Sequence, residues 1–332
     1  MPAAEASLDM GDGRVLFLYE NEAPFVRDDL AILRERFDVV AFDCSRGTTV
    51  GKLWRPLRWA DLSYSWFALG YAARAVLLGG ILRRPSIVVA GGWDVLSMPE
   101  IGYGAVRSRR GRRRARYVCR HADRVLAFSE FSRRAILDLS GRDPDLVYLG
   151  VDVERFRPGT KEDLVVSVGH VTMANLRRKG METFVRAAGH VPDVPFVLAG
   201  KQDPEALAAL RKTAPPNVTF PGHLSDDDLR NLLARAKVYA QVSYNEGFGL
   251  AVAEAMASEC VPVVTRAGSL PEVAGEVGLY VRFGDAVQTG QAILEALTSN
   301  RGVAARQRVA SQFPASRRRE RVLGIAEALL GR

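Results

Sequence analysis

Short apolar runs alternate with helical segments along most of the 332 residues. In the first half, RVLFLY, DVVAFD, SIVVAGG and RVLAFSE have the branched, apolar character of buried parallel strands. ADLSYSW and DLVYLGV are two further candidate strands, and DDLAILRERF has the pattern of a helix. This alternation predicts βα units, in which a mostly parallel sheet is covered by helices.

A second series of the same kind follows, with LVVSVG, PFVLAG, NVTFPG, KVYAQVS, CVPVV and VGLYV as its strands. The polar stretch 150–163 interrupts the rhythm with proline and glycine, so we expect a Rossmann-like domain at 1–150 and a second one at 151–314. Residues 315–332 are expected to form a helix that packs back on the first domain. The predicted fold class is α/β: two doubly wound domains whose parallel sheets face a cleft, where ligands bind.

The composition is typical of a soluble globular protein, with 48% hydrophobic and 25% charged residues and a net charge of +8. Only the polar start MPAAEASLDMGDG suggests disorder, and it contains no apolar signal core. The apolar segment 66–82 contains Arg74 and is short for a membrane span, so we expect a cytoplasmic protein. Cys44, Cys119 and Cys260 lie far apart in the sequence, which favours buried reduced thiols over metal ligands.

The segment SYNEGFGLAVAEAMASECVPVV contains two glutamates, Glu246 and Glu254, on either side of a glycine-flanked helix start. The pattern predicts a helix that opens near Phe248 or Gly249 and a buried strand at CVPVV. Glu254 lies among apolar residues, where an unpaired charge costs several kcal/mol, about 3 or more, so it needs a polar partner. At the helix start, free backbone N–H groups attract an anion such as phosphate. The residues of this junction are Gly247, Phe248, Gly249 and Leu250.

The basic segment NLRRKGMETFVRAA follows the strand LVVSVG and brings Arg177, Arg178 and Lys179 to the predicted start of another helix. Cations are disfavoured there by roughly 0.3 to 1 kcal/mol, because the helix dipole is already positive at its N-terminus. Their position therefore suggests a bound counter-anion. An exposed basic cluster in solvent is the alternative.

Four motifs together resemble glycosyltransferase family 4: the E-x7-E pair of Glu246 and Glu254, the Lys179-Gly180 turn after VGHV, and the later GHLS and SLPEV. The resemblance covers nearly all of the second half. It implies the GT-B fold, a retaining reaction and a nucleotide-diphosphate sugar as donor substrate, with no cofactor.

The resemblance also implies site roles. Lys179, with Arg178, would neutralise the donor diphosphate, and backbone amides from Phe248 to Leu250 would bind its distal phosphate. Glu254 would accept hydrogen bonds from the ribose hydroxyls, whereas Glu246 would face the transferred sugar. The alternatives are a Glu254 satisfied by backbone or by a neighbouring arginine, and a Glu246 that only complements the helix dipole.

Three further donor contacts are predicted in the second domain. The turn at His223 and Leu224 would hold the base. His170 stands where family members often have an arginine, so we include it as a donor-binding residue, and Arg177 or Arg178 can replace the missing cation.

Two aspartate positions have competing interpretations. Asp94 in AGGWDV is the polar candidate of the first domain, at the end of a strand, and a plain turn aspartate is the alternative. The triplet 226–228 resembles a metal-binding D-x-D, but Ser225 as the N-cap of a helix with acids in its first turn is the preferred interpretation. We therefore expect no metal site.

The predicted function is a metal-independent, retaining transfer of a sugar to a hydroxyl acceptor, such as a lipid-linked or polysaccharide precursor. A sugar-nucleotide epimerase, a phosphorylase or a non-catalytic basic binding protein is the alternative. GYGAVR lacks the spacing of a dinucleotide fingerprint, so no cofactor is assigned to it.

The segment RSRRGRRRARYVCR contains eight arginines and no acid. We expect it to lie on the first domain's surface and to hold the protein against an anionic membrane, at the inner face of the cell membrane. A solvated helix without a partner and non-specific nucleic-acid binding are the alternatives. The arginines are Arg107, Arg109, Arg110, Arg112, Arg113, Arg114, Arg116 and Arg120.

Overall fold

A computed structural model describes residues 13–331. The chain divides into two compact units. Unit 1 contains the chain up to Phe128, Ser132–Val147 and the residues from Arg318 onward, and unit 2 contains Ser129–Phe131 and Tyr148–Arg317. The polar start for which disorder was predicted lies, except for its last residue, outside the described residues.

Unit 1 contains a six-stranded sheet in the order β2-β1-β3-β4-β5-β6, and every pairing is parallel. The central strands β3 and β4 are buried along their whole length. The predicted DLVYLGV strand is reduced to two residues. The strands are β1 (Arg14–Tyr19), β2 (Asp38–Asp43), β3 (Leu62–Trp66), β4 (Ser86–Ala90), β5 (Arg124–Ala127) and β6 (Asp145–Leu146).

Helices connect the strands of unit 1. Helix α2 was not predicted, and it contains Pro56 inside the helix. The helices are α1 (Pro24–Arg34), α2 (Val50–Trp59), α3 (Gly70–Leu82), α4 (Arg109–His121) and α5 (Glu130–Ser140).

A buried ion pair lies at the centre of unit 1. The Arg318 guanidinium donates to both carboxylate oxygens of Asp29, in each case at 2.7 Å, and the two side chains are 4% and 0% exposed. The Tyr64 hydroxyl on β3 donates to the same carboxylate at 2.6 Å. Arg318 also donates to the Val147 carbonyl at 2.9 Å. The contacts of Arg318 therefore join the final helix to α1 and the sheet.

Unit 2 contains a second six-stranded sheet in the order β12-β11-β10-β7-β8-β9, again with parallel pairing only. The first strand of the unit, β7, lies in the middle, and the chain moves outward from it to either side. The six predicted strands of this half are confirmed. They are β7 (Glu162–Val168), β8 (Phe196–Ala199), β9 (Val218–Gly222), β10 (Ala236–Gln241), β11 (Val261–Thr265) and β12 (Leu279–Val281).

Apolar side chains from one face of this sheet and from helices of the unit form a core that includes Phe184, Phe196, Val238 and Ile293. The helices are α6 (Met173–Arg178), α7 (Met181–Ala187), α8 (Pro204–Arg211), α9 (Asp226–Arg235), α10 (Leu250–Ala257), α11 (Leu270–Ala274), α12 (Ala286–Thr298), α13 (Arg301–Gln312) and α14 (Ala315–Leu329), of which α14 belongs to unit 1 from Arg318 onward.

Two further predictions can be compared with the structure. All three cysteines are free and buried, as expected, and burial raises the pKa of Cys119 and of Cys260 to about 12. Within residues 13–331, no helix is both long and apolar enough to span a bilayer.

Candidate functional site

The candidate site of unit 2 lies where the strand order reverses. The neighbouring strands β7 and β10 are consecutive in the sheet but not in the chain, and in such parallel sheets ligands bind outside the carboxyl ends of the strands at this point. Lys179 follows β7 and the short helix α6, and Glu246 follows β10. The topology thus brings together two side chains that are 67 residues apart in the sequence.

The Glu246 carboxylate receives three hydrogen bonds on one oxygen. Its Oε1 accepts from Lys179 Nζ at 3.3 Å, from Gln241 Nε2 at 2.7 Å and from Ser243 Oγ at 3.0 Å. The Lys179 and Glu246 side chains are 21% and 12% exposed. The pair is therefore mostly shielded from solvent, yet a ligand can still reach it.

Electrostatics keep Glu246 ionised. Burial, the largest influence, raises the pKa of this carboxyl, but the charges of Lys179 and Arg178 and the hydrogen bonds from Ser243 and Lys179 outweigh it, so the pKa is lowered. A carboxylate with this pKa is negatively charged at neutral pH and can accept hydrogen bonds from hydroxyl groups.

A chain of buried polar groups supports Glu246 from behind. The Val168 backbone N–H donates to the Tyr239 hydroxyl at 3.2 Å, and this hydroxyl donates to Gln241 Oε1 at 3.0 Å. The amide nitrogen of Gln241 in turn donates to Glu246 Oε1. Sequence reasoning missed Gln241 and Ser243, although a glutamine at the end of the apolar run KVYAQVS was a usable signal.

The turn that carries Lys179 is pressed against the end of β10. Gly180 has a φ of +67°, and an added Cβ would lie 2.0 Å from the Val242 carbonyl oxygen, so only glycine fits there. The Tyr244 N–H donates to the Arg178 carbonyl at 2.7 Å. These backbone contacts fix the Lys179 turn relative to the Glu246 loop.

One inference about this segment is wrong. Arg177 and Arg178 were expected at the start of a helix, where cations are disfavoured, but they form the last turn of the unpredicted helix α6. Cations are favoured at a helix C-terminus, so their position does not itself require a counter-anion. Arg178 donates twice to Asn175 Oδ1, at 3.1 and 2.8 Å, whereas Arg177 is exposed.

The helix after the Glu246 loop begins at Leu250, which confirms the predicted start within one to two residues. Gly249 is its N-cap, with a φ of +89°, and no side chain caps this end. Phe248 is 3% exposed, and its ring packs 5.4 Å from that of Phe313. The first backbone N–H groups of α10, which follows Gly247 and Gly249, therefore form an uncapped helix end.

Glu254 lies more than one turn inside α10 and is half-buried. The negative charges of Glu246 and Glu254 both contribute, after burial, to raising the pKa of Tyr239 well above its usual range. Both glutamates of the E-x7-E pair are therefore close enough to this buried tyrosine for their charges to act on it. A ribose contact for Glu254 stays a prediction.

The other predicted donor-binding residues follow β7 and β9, which lie on either side of β8 in the same sheet. His170 follows β7, is exposed, and its Nε2 lies 3.3 Å from Asp203 Oδ1. His223 and Leu224 follow β9 and are exposed and half-buried, respectively. All three residues are thus at the carboxyl edge of the sheet, and their roles stay predictions.

The acidic triplet 226–228 forms the first turn of α9. Ser225 Oγ accepts from the Asp228 N–H at 3.1 Å, which confirms the predicted N-cap. Within residues 13–331, no group of three or more His, Cys, Asp or Glu side chains is arranged to hold a metal ion.

Asp94 belongs to unit 1 and is 0% exposed. Its carboxylate accepts from the backbone N–H groups of Ala68 at 2.9 Å, Gly92 at 2.9 Å and Gly91 at 3.3 Å. Burial raises its pKa, against the effect of these hydrogen bonds. These contacts agree with the alternative interpretation of Asp94, in which it is a plain turn aspartate. A catalytic role for Asp94 stays a prediction.

Comparison with solved structures identifies the class of fold. Anabaena Alr3699/HepE in complex with UDP and glucose matches with a TM-score of 0.80 at 18% identity, over 95% of this chain and 100% of that chain. Sucrose-phosphate synthase from Thermosynechococcus elongatus matches with a TM-score of 0.76 at 18% identity, over 96% of this chain and 100% of that one. These similarities, with the two parallel sheets, confirm the predicted α/β fold of the GT-B class.

A family match lies within unit 2. Residues 162–299 match the family described as glycosyl transferases group 1, and the predicted resemblance is confirmed there. D-inositol 3-phosphate glycosyltransferase of Mycobacterium tuberculosis is 32% identical over 177 residues. That match covers 46% of this chain and 36% of the relative, so only about a third of the relative's length is matched.

Proposed function

We propose that this protein transfers a sugar from a nucleotide-diphosphate sugar to a hydroxyl acceptor, with retention of the anomeric configuration and without a metal. The Lys179–Glu246 pair at the switch point of unit 2, beside the uncapped start of α10, is the observation that supports this function. We assign the donor to the domain at 151–314 and the acceptor to the domain at 1–150.

The residues of unit 2 suit the parts of such a donor. Lys179, with Arg178, supplies positive charge for the diphosphate, and the first N–H groups of α10 supply further donors for its distal phosphate. Glu246 is held ionised and accepts hydrogen bonds from hydroxyl groups of the sugar. Glu254 accepts hydrogen bonds from the ribose hydroxyls, and His223 and Leu224 hold the base.

The proposed reaction needs no covalent intermediate with the protein. The bond between the anomeric carbon and the diphosphate oxygen breaks, and the diphosphate leaves with the electron pair. The acceptor hydroxyl attacks the anomeric carbon from the same face, and its proton passes to the leaving phosphate. Fixed positive groups at Lys179 and α10 stabilise the charge that develops on the leaving diphosphate.

The similar proteins guide the choice of donor. UDP and glucose are bound in the Anabaena structure, so UDP-glucose is the first donor to test, followed by GDP and ADP sugars. Ligand at 100 times its dissociation constant stabilises a folded protein by about 2.7 kcal/mol, so a thermal-shift screen identifies the donor base.

With that donor and a panel of sugar and lipid-linked acceptors, we expect release of nucleoside diphosphate together with a glycoside of retained configuration. The rate should be unchanged in excess EDTA, because Lys179 and the α10 N-terminus supply the positive charge that a metal would otherwise supply. Loss of activity in chelator that manganese or magnesium restores would refute metal independence. Nucleoside diphosphate release without a glycoside, or product formation only with inorganic phosphate, would indicate the epimerase or phosphorylase alternative.

We also propose that unit 1 attaches to anionic membrane surfaces through helix α4. The helix contains no acid, and its arginines at 109, 110, 112, 113, 116 and 120 are exposed. An arginine near a negatively charged bilayer contributes about 1 kcal/mol, so several acting together give reversible attachment that weakens with salt.

Cosedimentation with phosphatidylglycerol vesicles tests this attachment. We expect binding that increases with anionic lipid content, decreases with salt, and is lost when Arg109, Arg110, Arg112 and Arg113 are changed to glutamine. Neutral phosphatidylcholine vesicles are the control. Wild-type protein that stays in the supernatant at low salt, with strongly anionic vesicles, would contradict the proposal and favour a soluble acceptor.

A further inference from the structure

A cavity of about 440 Å³ is lined by residues of unit 1. It is formed by the starts of α3 and α4 and by the segment that follows β4. Three arginines line it, together with Trp93, whose surface is 47% exposed. The arginines are Arg107, Arg110 and Arg114.

The wall of this cavity contains positive charges and no Asp or Glu. A Cβ added at Gly70, in the cavity wall, would lie 3.2 Å from Arg74 Nη1 and 3.7 Å from Arg114 Nη1. The pKa of Arg114 is lowered, first by burial and then by the charges of Arg110 and Arg74. Like charges held this closely repel each other, and a bound anion relieves the repulsion.

The backbone of the cavity adds hydrogen-bond donors to these charges. Helix α3, which has 13 residues, starts after Leu69 with no side-chain cap, and both Leu69 and Gly70 line the cavity. Trp93 adds an apolar side chain to the cavity wall. Ligand pockets commonly combine an aromatic wall with a few convergent polar groups in this way.

We infer that this cavity binds the phosphate group of a phosphorylated ligand, and that the sugar acceptor carries this phosphate. The assignment to the acceptor rests on the proposed function, whereas binding of phosphate to the cavity does not. Planar guanidinium groups pair with phosphate oxygens through two parallel hydrogen bonds, so Arg110 and Arg114 are the strongest contacts. Trp93 would pack against the remainder of the acceptor.

The test is calorimetric titration of the full chain with inorganic phosphate, glucose 6-phosphate and dihexanoyl phosphatidic acid below its micelle concentration. Arg110→Gln with Arg114→Gln should weaken binding of the preferred probe by about tenfold or more, because two charge-assisted contacts are lost. The matched control is Arg109→Gln with Arg116→Gln, which removes the same charge from the same helix. Both control residues are exposed, lie seven positions apart and are outside the cavity wall, so binding should be unchanged.

The probes distinguish the source of the phosphate. Tighter binding of glucose 6-phosphate than of inorganic phosphate supports a soluble phosphorylated sugar, and tighter binding of the lipid supports a lipid headgroup. Equal weakening in both double variants, or no binding of any probe to the wild type, overturns the inference. Titrations repeated in Lys179→Ala show that the signal does not come from the donor residues. If the wild type transfers no sugar but the arginine-dependent binding persists, the proposed function fails and the phosphate site stands.

Discussion

Replacing Lys179 with alanine is expected to lower the rate of sugar transfer by about 100- to 1000-fold while the protein stays folded. A donor aimed at charge that develops in the transition state contributes roughly 2.7 to 4 kcal/mol. Lys179 is 21% exposed, so the protein shields its charge from solvent in part. The measurement is the turnover number with the donor found in the thermal-shift screen, together with a circular dichroism spectrum of the variant.

Arg177→Ala is the matched control for this prediction. It removes the same charge two residues away, from an exposed side chain at the end of α6. An exposed charge contributes at most about 1 kcal/mol, so its turnover should stay within about fivefold of the wild type. Near-normal turnover in a folded Lys179→Ala protein, or equal losses in the two variants, would refute the assignment of Lys179 to the leaving diphosphate.

The second large effect is on stability. Asp29→Ala is expected to reduce the free energy of unfolding of unit 1 by about 3 to 5 kcal/mol, because it leaves the buried Arg318 without its counter-charge. The Tyr64 hydroxyl loses its acceptor as well. All four tryptophans are in unit 1, at positions 54, 59, 66 and 93, so tryptophan fluorescence during urea unfolding reports on this unit alone.

A neighbouring ion pair provides the control. Arg319 of α14 pairs with Glu35 at the end of α1, and the distance from Arg319 Nε to Glu35 Oε2 is 2.6 Å. Unlike the buried pair, these two side chains are 48% and 41% exposed. Glu35→Ala should therefore change the free energy of unfolding by less than about 1 kcal/mol. If Asp29→Ala and Glu35→Ala have the same urea midpoint, the buried pair does not stabilise the unit as we expect.

The strands were the most predictable part of the fold. Runs such as SIVVA and CVPVV are apolar and branched along their whole length, and this is a local property of strands that are covered on both faces. Helix α2 was missed because Pro56 argues against a helix interior. Helix α6 was missed because six residues inside a polar loop show no period, and this led to the wrong inference about Arg177 and Arg178.

The sequence indicated the charged residues of the candidate site but not the side chains that hydrogen-bond to them. Lys179, Glu246 and Glu254 stand out because charges in glycine-rich or apolar surroundings violate local expectations. The hydrogen-bond partners of Glu246 do not stand out in the sequence. Gln241 and Ser243 become its donors only because the loop after β10 brings Glu246 close to the end of that strand. The buried contact of Asp29 with Arg318 spans 289 positions and has no local signature at all.

The three donors on Glu246 Oε1 also affect the thermodynamics of ligand binding. A free glutamate side chain loses rotamer freedom when a ligand immobilises it, and this opposes binding by about 0.5 to 1.5 kcal/mol. Gln241, Ser243 and Lys179 have already fixed this side chain before any ligand arrives. A hydroxyl group that reaches the carboxylate therefore meets an acceptor that is already in its final orientation. The side-chain entropy of Glu246 is lost during folding rather than during binding.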